Sequence, residues 1–487
     1  MFTAVRSMAL RGIESYPILV EADVHPGLPY VDLVGLPASS VKEAKERVRF
    51  AIINSGYQWP HQRLIISLRP ADCKKEGTGL DLAIALAILI ASEQIPPSTA
   101  DYFFVGELSL DGKVCPCKGA WTVCKSALED HQVKMIAPAS MPLGELPEEL
   151  KANLLPTSSL AQTIALLRGE TNVSFFEQDT YLTVEENQLS FDDLIGLDKE
   201  KTALMIAAVG HHHLLLIGPP GAGKSMLAKR FPSILPPLSS NQKSRIEQIY
   251  SVAGINYKRG DYPPFRSPHA TISTQGLLGG GNPILPGEIS LAHEGILFLD
   301  EFAEFTRNAI DGLRQPMEDH EIHIRRAGLT YRFPADFQLI AAMNPCPCGY
   351  LGSDSKECTC SMQQIRRYQT KLSGPIRDRI DITLFVRPTD PDHLVHRITP
   401  ASISASQMRE NVRCALAFRT LRYQQDGLSE DHLSYNAAQL LIEVATRLAL
   451  SSRSIESTRK VARSIADLKA SLSIEKDHIL EALQYRT

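Results

Sequence analysis

The sequence has little net charge, no long hydrophobic run and no internal repeat, and each absence excludes a class of protein. The formal net charge is −4 over 487 residues, so any surface that binds nucleic acid would have to be local. The longest apolar run, residues 82–91, is too short to span a bilayer. Residues 1–6 lack the pattern of a signal peptide. We therefore expect a globular protein of the cytoplasm.

The length and the cysteines narrow the class further. A chain of 487 residues exceeds what one hydrophobic core usually supports, so we expect two or three domains. The sequence has nine cysteines, four of them clustered. Without a secretion signal, this pattern favours a reducing compartment and metal binding over a framework of disulfides.

Changes in composition and periodicity divide the chain into four parts. We predict a first α+β domain over residues 1–172, a linker over 173–190, an α/β core over 191–388 and a helical lid over 389–487. In the first domain, a strand-like run at 64–68 precedes a helical pattern at 80–92. The linker loses clean periodicity and is acidic, its acidic residues being Glu177, Asp179, Glu185 and Glu186.

The order of patterns in the third part is typical of a nucleotide-binding core. A helix, a strand with a glycine-rich loop, a Gly/Pro-rich insertion, an apolar strand, a helix, a hairpin and another strand follow one another. After residue 388 the chain changes to helical stretches such as 437–449 and 458–472, with little strand signal. We therefore expect an α/β motor followed by an all-helical lid.

One glycine-rich loop matches the phosphate-binding pattern G-x-x-x-x-G-K-[ST] at every fixed position. A buried strand is predicted before it at 213–217 and a helix after it at 225–231. In such a loop, backbone N–H groups surround the phosphates, the lysine reaches the β and γ oxygens, and the hydroxyl ligates Mg²⁺. The pattern predicts binding of a nucleoside triphosphate by Gly218, Pro219, Pro220, Gly221, Ala222, Gly223, Lys224 and Ser225.

Two carboxylates follow a second apolar strand, predicted at 295–299. Asp300 and Glu301 lie at its end, 75 residues beyond Ser225. We expect Asp300 to hold Mg²⁺ through its water shell, and Glu301 to polarise the water that attacks the γ-phosphorus. Together with the phosphate loop, the pair predicts hydrolysis of ATP.

A third apolar strand, at 338–343, ends at Asn344. In a parallel sheet this strand would lie between the first two, so that Asn344 faces the γ-phosphate and orients the water. The alternative is an asparagine that caps a turn.

Two arginines have patterns that suit the transition state. Arg379, with Arg377 beside it, lies in a predicted helix-to-strand turn and suits an arginine supplied to a neighbouring subunit. Its alternative is a surface arginine paired with Asp378 or Asp381. Arg453 starts a helix of the lid that could bring it onto the phosphates, and its alternative is a solvated helix-start arginine.

A cysteine cluster follows Asn344 directly. Two C-x-C pairs flank a short loop, and four thiolates can make a closed tetrahedral zinc site, which would be structural because no position remains open for water. Reduced thiols in a loop, or a redox pair, are the alternatives. The predicted ligands are Cys346, Cys348, Cys358 and Cys360.

The segment 322–333 alternates around Ala327-Gly328 and predicts a hairpin whose tip presents Arg325 and Arg326. Six copies in a ring would line a pore with positive charge suited to a phosphate backbone. A second insertion, 267–290, could form another pore loop. Solvated hairpins without a ligand are the alternative.

Longer motifs resemble the ComM/YifB family of magnesium-chelatase-like AAA+ proteins. In the core they are FRSPH at 265–269, GGG at 279–281, PGEISLAH at 286–293, LRQP at 313–316, NPCPCG at 344–349 and SGP at 373–375. Earlier and later motifs are VGLP at 34–37, ERVR at 46–49, PAD at 70–72, KEG at 75–77 and IADL at 465–468. The resemblance covers nearly the whole chain.

The resemblance implies a hexameric AAA+ ring, a first domain of the ribosomal-S5-like, Lon-protease-like type, and an all-helical lid. It also implies ATP-driven helicase activity that promotes DNA branch migration in homologous recombination during natural transformation. Single-stranded and branched DNA and the recombinase machinery would be its partners. The matching positions assign phosphate and Mg²⁺ binding to Lys224 and Ser225, hydrolysis to Asp300 and Glu301, the first sensor to Asn344, the trans arginine to Arg379 and the second sensor to Arg453.

Two other functions compete with DNA translocation. The Lon-like resemblance raises an ATP-dependent protease, and it would place the serine near Gly79 and the lysine near 121–123. The sequence has neither residue in register. A chelatase subunit or chaperone that remodels a protein would use the same motor without DNA, and the motor motifs do not exclude it.

Overall fold

The structure is a computed structural model that describes residues 2–75, 77–97, 99–131, 133–141, 148–171, 189–194, 196–255, 257, 260–326, 328–353, 356–388, 403–426 and 432–486. The acidic residues that mark the predicted linker, 177, 179, 185 and 186, lie outside this range. Among the described residues, no helix combines the length and the apolar character that crossing a bilayer requires.

The first part of the chain folds around a mixed β-sheet. Its strands are β1 (Phe2–Arg11), β2 (Glu14–His25), β3 (Tyr30–Val34), β4 (Arg63–Arg69), β5 (Tyr102–Phe104), β6 (Glu107–Leu108), β7 (Val114–Cys115), β8 (Lys134–Pro138) and β9 (Leu154–Thr157). Within the described residues, the main sheet has the order β3-β4-β2-β1-β5-β8-β9. β1, β2 and β4 pair antiparallel, whereas β3, β5, β8 and β9 join their neighbours in parallel.

Helices pack on this sheet. They are α1 (Ser39–Asn54), α2 (Asp81–Ala91), α3 (Ala120–His131), α4 (Glu148–Lys151) and α5 (Leu160–Leu167). Every residue of α2 is buried, which explains why its sequence is apolar almost throughout rather than on one face. The strand expected at 64–68 and the helix expected at 80–92 are confirmed by β4 and α2.

The second part has a parallel sheet as its core. The strands of this part are β10 (Leu214–Ile217), β11 (Phe265–Arg266), β12 (Gly279–Gly280), β13 (Leu285–Pro286), β14 (Gly295–Leu299), β15 (Glu321–Arg326), β16 (Leu329–Pro334), β17 (Phe337–Met343) and β18 (Ile382–Phe385). β12 with β13 and β15 with β16 form separate antiparallel pairs. In the portion described, the parallel strands have the order β11-β14-β17-β10-β18. β17 pairs with both β10 and β14, which confirms the position predicted for the third strand. The carboxyl ends of these strands therefore share one edge.

Helices cover both faces of the parallel sheet and connect its strands. They are α6 (Asp198–Gly210), α7 (Lys224–Arg230), α8 (Ser240–Ala253), α9 (Thr274–Leu278), α10 (Glu288–Leu291), α11 (Arg307–Gly312), α12 (Pro316–Asp319), α13 (Met362–Gln369) and α14 (Gly374–Arg377). Short 3₁₀ turns lie at Phe191–Asp193, Phe231–Ile234 and Phe302–Glu304.

The last part is helical, as the sequence predicts. Its helices are α15 (Ala405–Asp426), α16 (Tyr435–Arg447), α17 (Ser452–Leu468) and α18 (Lys476–Leu483). The hydroxyl of Ser457, in α17, donates to Asp381 Oδ1 at 2.5 Å, and Ser464 Oγ lies 2.8 Å from His212 Nε2. Asp381 and His212 precede β18 and β10, so α17 lies against the amino-terminal edge of the parallel sheet.

The first part contacts the second through two helices. α3 packs against α8, where Gly119 N donates to Ser251 O at 2.8 Å and Thr122 Oγ1 donates to Gln248 O at 3.1 Å. Both acceptors are backbone carbonyls of α8, so the first part is attached to the segment that follows the phosphate loop and its helix α7.

Candidate active site

The phosphate loop joins β10 to α7 and has the backbone that its glycines allow. Gly221 and Gly223 have φ angles of +79° and +91°, in the left-handed region that glycine adopts without strain. At Gly218, a Cβ atom would lie 2.3 Å from the carbonyl oxygen of Val386. The loop can therefore follow this path only with glycine at its first position.

Lys224 is buried at the start of α7. Its ammonium donates to Gly218 O at 2.7 Å, Pro219 O at 2.9 Å and Asn344 Oδ1 at 3.2 Å. Burial lowers the pKa of Lys224, and the charge of Asp300 opposes this shift. All three hydrogen-bond acceptors are neutral oxygens, so none of them forms an ion pair with the lysine. This environment fits a group that receives phosphate oxygens.

Ser225 and Asp300 meet although 75 residues separate them. The Ser225 hydroxyl donates to Asp300 Oδ2 at 2.6 Å, and the backbone N–H of Glu301 donates to Asp300 Oδ1 at 2.9 Å. A hydroxyl and a carboxylate are the oxygen ligands that Mg²⁺ uses beside a bound triphosphate. The side chains that the sequence predicts for this ion therefore lie together.

Glu301 follows Asp300 in an exposed position with a φ angle of +50°. This left-handed backbone is uncommon for a residue with a side chain. It caps the 3₁₀ turn Phe302–Glu304 and lies beyond the carboxyl end of β14. Glu301 is therefore at the same edge of the sheet as the phosphate loop.

Asn344 completes the cluster at this edge. It follows β17, and its contact with Lys224 joins the central strand to the phosphate loop. The neighbouring Tyr368, in α13, was not anticipated from the sequence. Burial raises the pKa of Tyr368 to about 12, so its phenol stays neutral. The only sequence signal for this residue is the apolar spacing of α13, which predicts burial and no role at a site.

Arg379 and Arg453 lie together, but at the opposite edge of the sheet. Both form ion pairs with Glu318, in α12, and Arg379 Nη1 also donates to Pro375 O at 2.7 Å. Two residues beyond Glu318, the carbonyl of His320 accepts from the N–H of Ala335, near the start of β17. The arginines therefore lie near the amino-terminal ends of the strands.

This placement corrects the position expected for Arg453 and does not match the alternative considered for Arg379. Arg453 does not lie over the phosphate loop of its own chain, because α17 is fixed to the amino-terminal edge by the contacts of Ser457 and Ser464. Arg379 pairs with neither Asp378 nor Asp381, the partners considered from the sequence, but with Glu318. Glu318 was missed, since its partners are 61 and 135 residues away in sequence.

The side chains of the four clustered cysteines lie close together, near the carboxyl-terminal edge of the parallel sheet. The sulfur of Cys346 lies 3.4 Å from that of Cys348 and 3.6 Å from that of Cys358, and the last two are 3.5 Å apart. With Cys360, all four sulfurs lie within 4.8 Å of one another. The cluster can hold a metal ion.

The predicted hairpin is confirmed by β15 and β16, which pair antiparallel with Arg326 opposite Leu329. Arg325 and Arg326 are exposed on its outer end. The guanidinium of Arg326 donates to the carbonyl of Gly281, in the glycine-rich insertion. The two segments predicted as pore loops are therefore in contact.

In the first part of the chain, the positions of a protease dyad are filled by other groups. A Cβ atom at Gly79 would lie 2.9 Å from Cys117 Sγ, so a serine side chain there would have to displace Cys117. Trp121 and Val123 are buried in α3. The Thr78 hydroxyl donates to Glu107 Oε2 at 2.5 Å, so its partner is a carboxylate rather than a lysine.

Three family models match successive parts of the chain. The model described as magnesium chelatase, subunit ChlI, matches residues 190–394. Subunit ChlI of Mg-chelatase matches residues 20–141, and the C-terminal part of that subunit matches residues 402–486.

Individual proteins are similar over nearly the full length. An uncharacterized protein of Salmonella typhimurium named YifB is 38% identical over 99% of this chain and 96% of its own length. The competence protein ComM of Haemophilus influenzae is 36% identical over 99% of this chain and 97% of its own. The magnesium-chelatase 67 kDa subunit of Chlorobaculum parvum is 26% identical over 32% of this chain.

Proposed function

The chain belongs to the ComM/YifB family of magnesium-chelatase-like proteins, and from this premise we propose that it is a DNA-translocating AAA+ ATPase. The observation that carries the proposal is the pair of contacts Lys224–Asn344 and Ser225–Asp300. They bring the ends of three parallel strands together around one phosphate loop, which is the arrangement that phosphoryl transfer needs.

We assign the roles in hydrolysis from this arrangement. Lys224 and the N–H groups of the loop would bind the β- and γ-phosphate oxygens, and Ser225 and Asp300, whose side chains are in contact, would hold Mg²⁺. When bound together with ATP, the ion would neutralise part of the negative charge of the phosphates. Asn344 orients a water and Glu301 accepts its proton, while the water oxygen bonds to the γ-phosphorus and the bond to the bridging oxygen of ADP breaks.

The active unit that we propose is a homo-hexameric ring. Arg379 lies away from the phosphate loop of its own chain, and in the ring it would exchange its partner Glu318 for the phosphate at a neighbouring subunit. An arginine supplied in trans stabilises charge on the transferring phosphoryl group and makes hydrolysis depend on assembly. Because Arg453 shares the ion-pair partner of Arg379, we propose that both arginines serve the same neighbouring site.

DNA is the polymer that we propose for the pore. The hairpin presents Arg325 and Arg326 with their side chains exposed, and positive charge repeated around a ring suits a phosphate backbone. The activity would be helicase-driven branch migration on single-stranded and branched DNA, with the recombinase machinery as a partner, during natural transformation in the cytoplasm. The competence name of the Haemophilus relative supports this reading.

The remaining parts of the proposal concern the first domain and the cofactors. We propose a ribosomal-S5-like, Lon-protease-like fold without protease activity for residues 1–172, followed by the linker 173–190, the AAA+ core 191–388 and the lid 389–487. ATP and Mg²⁺ act at the phosphate loop, and the cysteine cluster holds a structural zinc ion.

ATP hydrolysis with and without single-stranded and forked DNA tests the function. DNA should raise the rate, and the double variant Arg325→Glu/Arg326→Glu should lose this stimulation because its pore repels phosphate. The rate without DNA is the internal reference for each protein. Lys45→Glu/Arg49→Glu, on exposed positions of α1, makes the same charge change elsewhere and should keep the stimulation.

Two results would contradict parts of this proposal. If DNA stimulates ATP hydrolysis equally in the hairpin variant and in the α1 control, the hairpin does not bind the DNA. Hydrolysis that no DNA changes would favour remodelling of a protein partner, a function supported by the similarity to a magnesium-chelatase subunit.

A further inference from the structure

The spacing of the clustered thiols suits a metal ion rather than a disulfide. Zinc binds thiolate sulfur at about 2.3 Å, which places tetrahedral sulfurs about 3.8 Å apart. The sulfur–sulfur distances among Cys346, Cys348 and Cys358 are 3.4, 3.5 and 3.6 Å, and with Cys360 all four sulfurs lie within 4.8 Å of one another. A disulfide requires about 2.05 Å. The thiols are therefore close to the edge lengths of a ZnS₄ tetrahedron.

The local backbone supports the same ligand set. The N–H of Cys348 donates to Cys360 Sγ at 3.4 Å, and hydrogen bonds to ligand sulfurs stabilise the thiolate form. Cys346 is buried while its three partners are partly exposed, so an ion has a path of entry. Four soft ligands select zinc among the common divalent ions and leave no position for a reacting water.

The cluster is connected to the active site on two sides. Along the chain, Cys346 is separated from Asn344 by one proline. Through space, the turn after Cys348 lies against the phosphate loop, because a Cβ atom at Gly349 would be 2.7 Å from Pro220 Cδ. The same Cβ atom would be 3.8 Å from Asn344 Cγ. Gly349 therefore lies between the loop and the side chain that contacts Lys224.

We infer that zinc bound by these four cysteines positions Asn344 against the phosphate loop, and that metal occupancy therefore controls ATP hydrolysis. The inference rests on the proposed ATPase. The metal acts as a positioning element and touches no reacting atom. Without it, the segment 346–360 loses its cross-link, and Asn344 loses the support that fixes its distance to Lys224. Binding of ATP depends mainly on the loop and should change less than turnover.

The first test measures zinc and turnover in the full chain. Purified under reducing conditions without chelator, the protein should contain about one equivalent of zinc per chain. Cys358→Ser/Cys360→Ser should lose the metal, and kcat should fall by about 10- to 100-fold. Affinity for a fluorescent ATP analogue should change by less than about threefold. Cys73→Ser/Cys414→Ser, at cysteines outside the cluster, should keep both metal and rate.

A second variant changes the contact between the cluster and the phosphate loop while leaving the zinc ligands in place. Gly349→Ala keeps all four ligands, but its methyl group meets Pro220 and its φ angle of +87° is strained with a side chain. We expect this variant to retain one equivalent of zinc and to lose turnover by about tenfold. Turnover equal to wild type in Gly349→Ala would overturn the coupling between the cluster and the site.

Reversible removal covers the case in which the cysteine variant fails to fold. Wild-type protein treated with a reversible thiol-modifying reagent and a chelator should lose turnover. It should regain turnover when excess reductant, which takes up the blocking groups and frees the thiols, is added together with zinc, and not with reductant alone. Full turnover by protein from which zinc has been removed would overturn the inference. Wild-type protein that contains no zinc when purified would overturn it as well. A zinc-loaded protein that binds the analogue but never hydrolyses ATP would instead contradict the proposed function, so the two failures differ.

Discussion

The two edges of the parallel sheet hold different parts of the proposed catalytic site. At the carboxyl-terminal edge, Lys224, Asp300 and Asn344 are assembled around the phosphate loop of the chain. At the amino-terminal edge, Arg379 and Arg453 are held by Glu318. One chain therefore brings together the groups that we propose to bind phosphate and activate water, whereas its two arginines lie at the other edge. Because the two groups of residues lie at opposite edges, a complete site would form only where one copy of the chain contacts another.

The largest effect is expected at the amino-terminal edge. Arg379→Ala should lower kcat for ATP by about 10⁴-fold, because the charge on the transferring group loses its cation. If Arg379 acts on a neighbour, mixing this variant with Lys224→Ala should restore activity, since some interfaces then combine an intact loop with an intact arginine. Steady-state hydrolysis over a range of mixing ratios measures this.

The mixing experiment also places Arg453. Arg453→Ala should be rescued by Lys224→Ala in the same way if both arginines serve the same interface. A mixture no more active than its separate components would mean that the arginines act within their own chain, and the distinction between the two edges would fail.

At the carboxyl-terminal edge, Glu301→Gln should lower kcat by about 10³-fold, because the amide cannot accept the proton of the attacking water. Binding of ATP should remain, as Lys224 and the loop are unchanged. Single-turnover hydrolysis and analogue binding separate the two steps. Glu304→Gln, three residues later and paired with Lys371, is the matched control and should keep its rate. Normal turnover in Glu301→Gln would show that another group is the base.

The smallest effect is expected for Glu318→Gln. Glu318 is 48% exposed, whereas its partner Arg379 is only 13% exposed, and a partly exposed ion pair contributes on the order of 1 kcal/mol. Freeing the arginines for a neighbouring subunit should therefore strengthen assembly by about fivefold. Sedimentation with a non-hydrolysed nucleotide measures the midpoint, with Glu321→Gln as the control. Weaker assembly in Glu318→Gln would mean that Glu318 belongs to the interface itself.

The sequence predicted the carboxyl-terminal edge better than the amino-terminal one for a physical reason. The phosphate loop is a local pattern, and the end of β17 could be placed because parallel strands share an edge. Arg453 was misplaced because the path of α17 depends on its contacts with Asp381 and His212, which no local pattern contains. Glu318 and Tyr368 were missed for the same reason, since their partners are brought to them only by the fold.

The backbone at Glu301 has a consequence for the stability of the chain. A left-handed conformation costs a residue with a side chain about 1–2 kcal/mol, and Glu301 adopts it with a φ of +50°. Glycine at this position would make the fold more stable, but it has no carboxylate that could act as a base. The protein therefore holds its proposed base in a conformation that costs stability, a cost that the described chain also bears at eight other residues with side chains.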